Sequence, residues 1–238
     1  MLAACARAPE QPKDPAAAAR RAQWAAQADL PDWTGVWEID WRNSRGMPPR
    51  PQMKLQPKYQ AELDAYKKAQ SKGENLQSEG ANCVPPGLPG IMSQPYPIEF
   101  AYQPGKVLML IEAYMQFRHI YTDGRKHPED PDPTFMGHSI GHWEGDTLVV
   151  ESVGFNANNK LSAGVPHSDQ LTITERIRRV DKDWMEIETT MNDPVVLAEP
   201  YEVTISYRHL DDEIREYICL ENNRDGADAK GRPSLRLE

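Results

Sequence analysis

The chain has 238 residues, and 36 acidic side chains against 27 basic ones give a formal net charge of −9. A polyanion therefore meets repulsion over most of the surface, which disfavours nucleic acid as a partner. The 21 Pro and 15 Gly supply many turns without approaching a collagen-like or disordered composition. One domain with a sizeable core suits this length, and no apolar run approaches the roughly 18 to 20 residues of a membrane-spanning helix.

In chain order, Leu2-Ala3-Ala4-Cys5 resembles a bacterial lipobox, in which small residues precede a cysteine that becomes the lipidated N-terminus. The resemblance implies lipidation of Cys5, with Met1 a start placed inside the signal peptide. It makes a lipid anchor the one route to a membrane and the periplasm or outer membrane the compartment. Residues 6–28, rich in Ala, Pro, Gln and Arg, suit a tether between anchor and fold, although 16–28 is alanine-rich enough for a short helix. The expected organisation is a tether over 1–30, one folded domain over 31–236, and a cloning junction at Leu237-Glu238.

From Trp33 to Trp41 the residues Trp33, Gly35, Trp37, Ile39 and Trp41 all fall on odd positions, so a period-2 strand places them on one face. A helix is predicted over Pro57 to Ser71: Pro57 suits a first turn, Tyr59, Leu63 and Tyr66 recur at helical spacing, and Gly73 ends it. Residues 72–95 form a long proline-rich loop. Strands are then predicted near 98–103, 106–114, 116–122, 137–144, 146–153, 170–180, 184–191, 201–210 and 213–220. Turn signals at Pro104-Gly105, Asp123-Gly124, Glu144-Gly145-Asp146 and Asp211-Asp212 join several of them, and short connections force antiparallel neighbours. The expectation is a mainly β domain, an antiparallel up-and-down barrel closed to hide its edges, with one or two short helices near the N-terminus.

Asp32-Trp33-Thr34-Gly35-Val36-Trp37 resembles the Gly-x-Trp first strand of lipocalins, which implies a lipocalin-like barrel with Trp37 plugging its floor. A longer stretch, from about Cys83 to Asn223, resembles a family of uncharacterised exported bacterial proteins. Arg118 to Arg125, Gly137 to Val150 (Gly-His-Ser-Ile-Gly-His-Trp-Glu-Gly-Asp-Thr-Leu-Val-Val), Gly154-Phe155-Asn156 and Pro166-His167-Ser168 carry the likeness. It implies export and a β fold, and it transfers no activity.

Three cysteines are present. With Cys5 lipidated, Cys83 and Cys219 either close one disulfide in an oxidising compartment or remain two unrelated buried thiols. A bridge across that span contributes roughly 4 to 5 kcal/mol in the chain-entropy model.

Chemistry-bearing residues concentrate on the strands. Phe117, His119 and Tyr121 share one face, and His138, Ile140, His142 and Glu144 share another. Glu175 stands in the row Leu171, Ile173, Ile177, and Glu112 in the row Leu108, Leu110, Tyr114. A carboxylate in a barrel interior is desolvated and becomes a proton-transfer group useful near neutral pH. His119, Tyr121, Glu175 and Glu112 are therefore the candidate catalytic groups. Tyr114, Arg118, His138, His142, His167, Asp169 and Trp37 are the candidate substrate-binding residues. The alternatives stay open: each glutamate points either into the barrel or outward, His167 and Asp169 lie either at a barrel mouth or in solvent, and Arg176, Arg178 and Arg179 either balance internal carboxylates or form an outer ion-pair face.

No organic cofactor is expected, since phosphate loop, nucleophile elbow and zincin helix motifs are absent from the sequence. A metal ion held by His119, His138 and His142 is the alternative. It requires a bulge at Gly141, because His138 and His142 stand roughly 13 Å apart on a regular strand. Three functions follow: a cofactor-free acid/base lyase or isomerase acting on a small hydrophobic or aromatic molecule, a carrier of such a molecule, or an envelope lipoprotein whose barrel is filled by its own side chains.

Overall fold

The computed structural model describes residues 15–40, 48–74 and 83–219, together with two short strands near the C-terminus. Cys5, Trp41, Leu220 and Leu237-Glu238 lie outside the described residues. The helices α1 (Pro15–Ala25) and α2 (Pro57–Ser71), the latter with the predicted bounds, flank the first strand in the chain. The strands are β1 (Val36–Ile39), β2 (Ile98–Gln103), β3 (Lys106–Ile111), β4 (Gln116–Tyr121), β5 (His138–Glu144) and β6 (Thr147–Val153). They continue with β7 (Lys160–Ser162), β8 (Val165–Pro166), β9 (Thr172–Arg179), β10 (Trp184–Asn192) and β11 (Tyr201–Leu210). The last two, β12 (Asp225–Ala227) and β13 (Pro233–Leu235), pair only with each other.

Nine strands close into a barrel in the order β1-β11-β10-β9-β6-β5-β4-β3-β2, and β7 and β8 form a separate hairpin between β6 and β9. The barrel is the predicted one, mostly antiparallel. An odd number of strands cannot alternate in direction all the way round, so one neighbouring pair must run parallel. That pair is β4 and β5, joined through only two registered pairs, Ile120 with Ser139 and Tyr121 with Ile140. A parallel pair needs a crossover, and residues 122–137 provide it. The Asp123-Gly124 signal thus begins a crossover and not the hairpin expected of a fully antiparallel meander.

The predicted strand over 213–220 does not form; residues 212–218 have no regular structure. Its place in the ring is taken, because β11 already pairs with β1, which pairs in turn with β2. The first strand starts only at Val36, after Gly35. There φ is +97°, and a Cβ would stand 2.1 Å from the His209 ring, so glycine alone permits the close approach of β1 to β11.

Trp33, Trp37 and Ile39, expected to share one face, all point inward and are fully buried. They close one end of the barrel. Trp33 packs edge-on against Phe100 at 5.0 Å and against Trp143 at 5.1 Å, and Trp37 sits edge-on to His209 at 5.0 Å beneath the Arg179 guanidinium at 5.4 Å. The Trp37 indole N–H donates to the Trp33 carbonyl at 3.1 Å, which satisfies its polar edge inside this plug. Cys83 and Cys219 are bridged, tying the proline-rich loop to the segment after β11.

Truncating Trp37 removes the centre of the plug. Trp37→Ala should cost roughly 3 to 5 kcal/mol in urea unfolding, and a loss below about 1 kcal/mol would show that the closed end is not cooperative with the barrel.

Candidate functional site

Side chains on the barrel strands alternate between lumen and exterior, so β4 turns either Arg118 and Ile120 inward or Phe117, His119 and Tyr121. The structure chooses Arg118 and Ile120, which are buried, and leaves Phe117 60% exposed. From β9 the row Leu171, Ile173, Glu175 and Ile177 is the buried one, which decides the open alternative for Glu175 in favour of the interior. Arg118 and Glu175 meet inside the barrel, each only 1% exposed, as an ion pair between the Arg118 Nη2 and the Glu175 Oε2. Arg118 also donates to the Ser139 hydroxyl at 3.0 Å and the Ser152 hydroxyl at 2.8 Å, and those two hydroxyls lie 2.8 Å from each other. Burying two charges costs several kcal/mol per ion unless partner and hydrogen bonds compensate. The serines of β5 and β6 supply part of that compensation, and the buried Arg118 Nη1 has no hydrogen-bond partner among the described residues.

Above this network the lumen opens into a cavity of about 240 Å³. Its wall is Glu175 with Ile173, Thr189, Met191, Val203 and Ile205, and its cover comes from elsewhere in the chain. Arg50 and Met53 are delivered by a strand-like segment in which Leu55 bridges to Leu197, with Gln56 N–H donating to Val196 at 2.9 Å and Ala198 N–H to Lys54 at 2.9 Å. Leu88 to Ser93 form a second part of the cover. The Asn159 amide, fully buried, donates to the carbonyls of Leu88 and Phe135 at 2.9 and 2.8 Å, and the Tyr207 hydroxyl donates to the Met92 carbonyl at 2.7 Å. Burial, and secondarily the nearby Glu175 charge, holds the Tyr207 phenol far above its ordinary range while Arg50 opposes this, so it acts as a neutral donor that pins the cover.

Of the candidate catalytic groups, Glu175 alone borders the cavity. His119 and Tyr121 are on the outer face of β4, correcting the expectation that the imidazole lines the lumen. The decisive factor is parity: once Arg118 turns inward to meet Glu175, positions 117, 119 and 121 must turn outward. Glu112 lies past the end of β3, where its carboxylate accepts the Arg215 backbone N–H at 2.9 Å, so it anchors the segment after β11. Of the candidate binding residues, Arg118 is interior. Trp37 belongs to the aromatic plug and does not border the cavity. Tyr114 borders a second, outer groove. Burial, and secondarily Tyr96, pushes its phenol up, with Tyr217 opposing.

His138 and His142 are on the outer face of β5. The bulge that a three-histidine metal site requires is not formed, since Gly141 pairs with Val150 in unbroken register. His142 instead lies 3.2 Å from Glu144, which also pairs with Arg176 at 3.0 Å. The His167 ring nitrogens lie 2.7 and 2.9 Å from the carbonyl oxygens of Ser168 and Asn156, which fixes the loop before β9. Asp169 is exposed. The carboxylate that organises this loop is Asp193, fully buried, which accepts from the Ser168 N–H and hydroxyl at 2.6 and 2.8 Å and from the Val195 and Val196 N–H groups at 3.1 Å. Arg176 and Arg178 join outer ion pairs, while Arg179 turns to the closed end over Trp37.

The outer rings form a ladder. His119 stacks with Tyr121 at 6.2 Å, Tyr121 with His138 at 5.4 Å, and the Arg125 guanidinium lies 3.8 Å above Tyr121. His127, in the crossover, places its Nδ1 2.8 Å from that of His138 and its Nε2 3.3 Å from Glu151. One facing nitrogen must donate and the other accept, so this contact tolerates only one proton between them. Burial, then His127 and Arg125, holds the His138 imidazole below its ordinary value; burial and then Lys106 do the same for His119.

A comparison with protein-family models finds no match for this chain, and a comparison with curated proteins also finds none.

Two outcomes follow from these contacts. Arg118→Met should destabilise the protein by about 3 to 5 kcal/mol, because it strands a buried carboxylate, whereas the double variant Arg118→Met with Glu175→Leu should recover most of that loss. A double variant no more stable than the single would contradict the pairing. The depressed imidazoles bind protons more weakly folded than unfolded, so their contribution is complete above the ordinary value of about 6.5 and is lost as pH falls below it. The melting temperature should therefore drop on acidification from about pH 7 to about pH 5, and less steeply in His138→Phe; an identical slope in the variant would contradict this.

Proposed function

We propose that the protein is an exported small-molecule-binding barrel that holds a compact apolar or aromatic compound in the covered half of its lumen. The observation that carries this reading is the cavity of about 240 Å³ between a polar network and a cover assembled from the Arg50–Met53 segment, the turn at Leu88–Ser93 and the hairpin residues Leu161–Ala163. Its surface is mostly apolar with a few placed polar groups, Glu175, Thr189 and Arg50, the composition of ligand sites in general.

Export rests on the lipobox-like Leu2-Ala3-Ala4-Cys5 and on the Cys83–Cys219 bridge, a bond that persists in oxidising compartments such as the periplasm. The tether and lipid anchor at Cys5 belong to the same proposal, as does membership of the exported family that the sequence resembles.

A second reading, acid/base lyase or isomerase chemistry on the same ligand, is favoured by one observation: Glu175 borders the cavity. It loses His119 and Tyr121 as groups near the ligand, and Arg118 already engages one carboxylate oxygen. Binding without conversion fits the geometry better.

Extraction of the purified protein under denaturing conditions, followed by mass spectrometry, should release a compact apolar compound at close to one per chain. Ile205→Trp, which fills the cavity at a packing cost of about 1 to 3 kcal/mol, should release none while keeping the β-sheet circular dichroism. Equal recovery from both proteins would overturn the cavity as the site. Steady conversion of the compound during incubation with intact protein would decide for the enzyme.

A further inference from the structure

Two spaces meet at the covered end of the barrel. Besides the inner cavity, a more open groove of about 610 Å³ lies between α2, the proline-rich loop and the β7–β8 hairpin. Gly90, Ser162 and Ala163 border both, so the partition between them is a short turn of the cover and one edge of a hairpin. The hairpin is seated by its tip: at Gly164, where φ is +77°, a Cβ would stand 2.6 Å from the Tyr66 ring of α2. The helix thereby fixes the outer wall of the groove.

The charge bordering these spaces runs against that of the protein as a whole. The chain carries −9, yet the charged residue bordering the outer groove, among the described residues, is Lys160. Glu175, the carboxylate of the inner wall, is already ion-paired to Arg118. No carboxylate among the described residues bordering the groove balances Lys160. Lys160, a half-buried cation in a concave region of an acidic protein, focuses positive potential in the groove.

We propose, on the basis of the binding reading above, that the two spaces form one site for a compact amphipathic acid, its apolar body in the lumen and its single anionic head in the outer groove against Lys160. The orientation follows from the linings: the methionines and aliphatic side chains of the inner space accept an apolar body, while Lys160 stands in the outer groove with no carboxylate among the described residues bordering it. Tyr66, Tyr114 and Gln94 offer neutral donors beside Lys160. An amine head in the same position meets the like charge of Lys160.

The test is calorimetric titration of the intact protein with three probes sharing one body: phenylbutyrate, phenylbutanol and phenylbutylamine. The acid should bind at least about fivefold more tightly than the other two, a factor of the size expected for one partly exposed charge pair, and added salt should weaken only the acid. Lys160→Met should bring the acid down to the affinity of the alcohol and leave the alcohol unchanged, and Ile205→Trp should abolish all three. Equal binding of acid and alcohol, or an acid affinity unaffected by Lys160→Met, would overturn the acidic head while leaving the cavity reading intact. Tightest binding by the amine would overturn it in favour of Glu175. Failure of all three probes would overturn both readings.

Discussion

The ion pair between Arg118 and Glu175 is the contact on which the lumen depends. It joins β4 to β9 across the interior, and both side chains are out of water, so neither tolerates loss of the other. It also divides the barrel. Toward one end the inward residues are Trp33, Trp37, Phe100 and Trp143, packed ring against ring; toward the other they are Ile173, Thr189, Met191, Val203 and Ile205, which leave a space. Ser139 and Ser152 on β5 and β6 accept from the guanidinium Nε and Nη2, so β4, β5, β6 and β9 are coupled through side chains at this level.

Closure with nine strands creates a second constraint. The unavoidable parallel seam, β4 with β5, holds only two registered pairs, and the β1–β2 seam also holds two. Both seams receive support from side chains. At the first, Arg118 bonds Ser139 inside the barrel, while Tyr121, His138 and His127 stack outside it and fasten the crossover. At the second, Trp33 packs on Phe100 and Trp37 on His209, drawing β1 toward the strands on both sides. The titratable rings that looked like chemistry on paper are here a clasp on the exterior of the weaker seam.

How far the sequence was legible follows from the range of the interactions involved. The helix Pro57–Ser71 and the strands Ile98–Gln103 and Tyr201–Leu210 coincide with their predicted bounds, because turn residues and local periodicity set them. The inward row of Trp33, Trp37 and Ile39 was legible for the same reason. Strand β4 was not, since both of its faces mix apolar and polar side chains, and the choice between Arg118 and His119 was made by Glu175, 57 residues away in sequence. The cover was equally hidden. Arg50 and Met53 reach the cavity only because their segment pairs with residues near Leu197, and no local pattern announces that meeting. Asp193 was overlooked in favour of Asp169, although its position before a tight turn is where a carboxylate caps exposed N–H groups.

The barrel's central property is an accessible, ligand-competent space beside the polar network. Methionines report on it directly, since Met53, Met92 and Met191 border the cavity while Met109 and Met185 are buried away from it. Titrating the protein with indole and following the methionine methyl resonances by nuclear magnetic resonance should move the first three and leave the other two in place. Movement of the exposed Met115 alone, or of no methionine at all, would contradict an interior site.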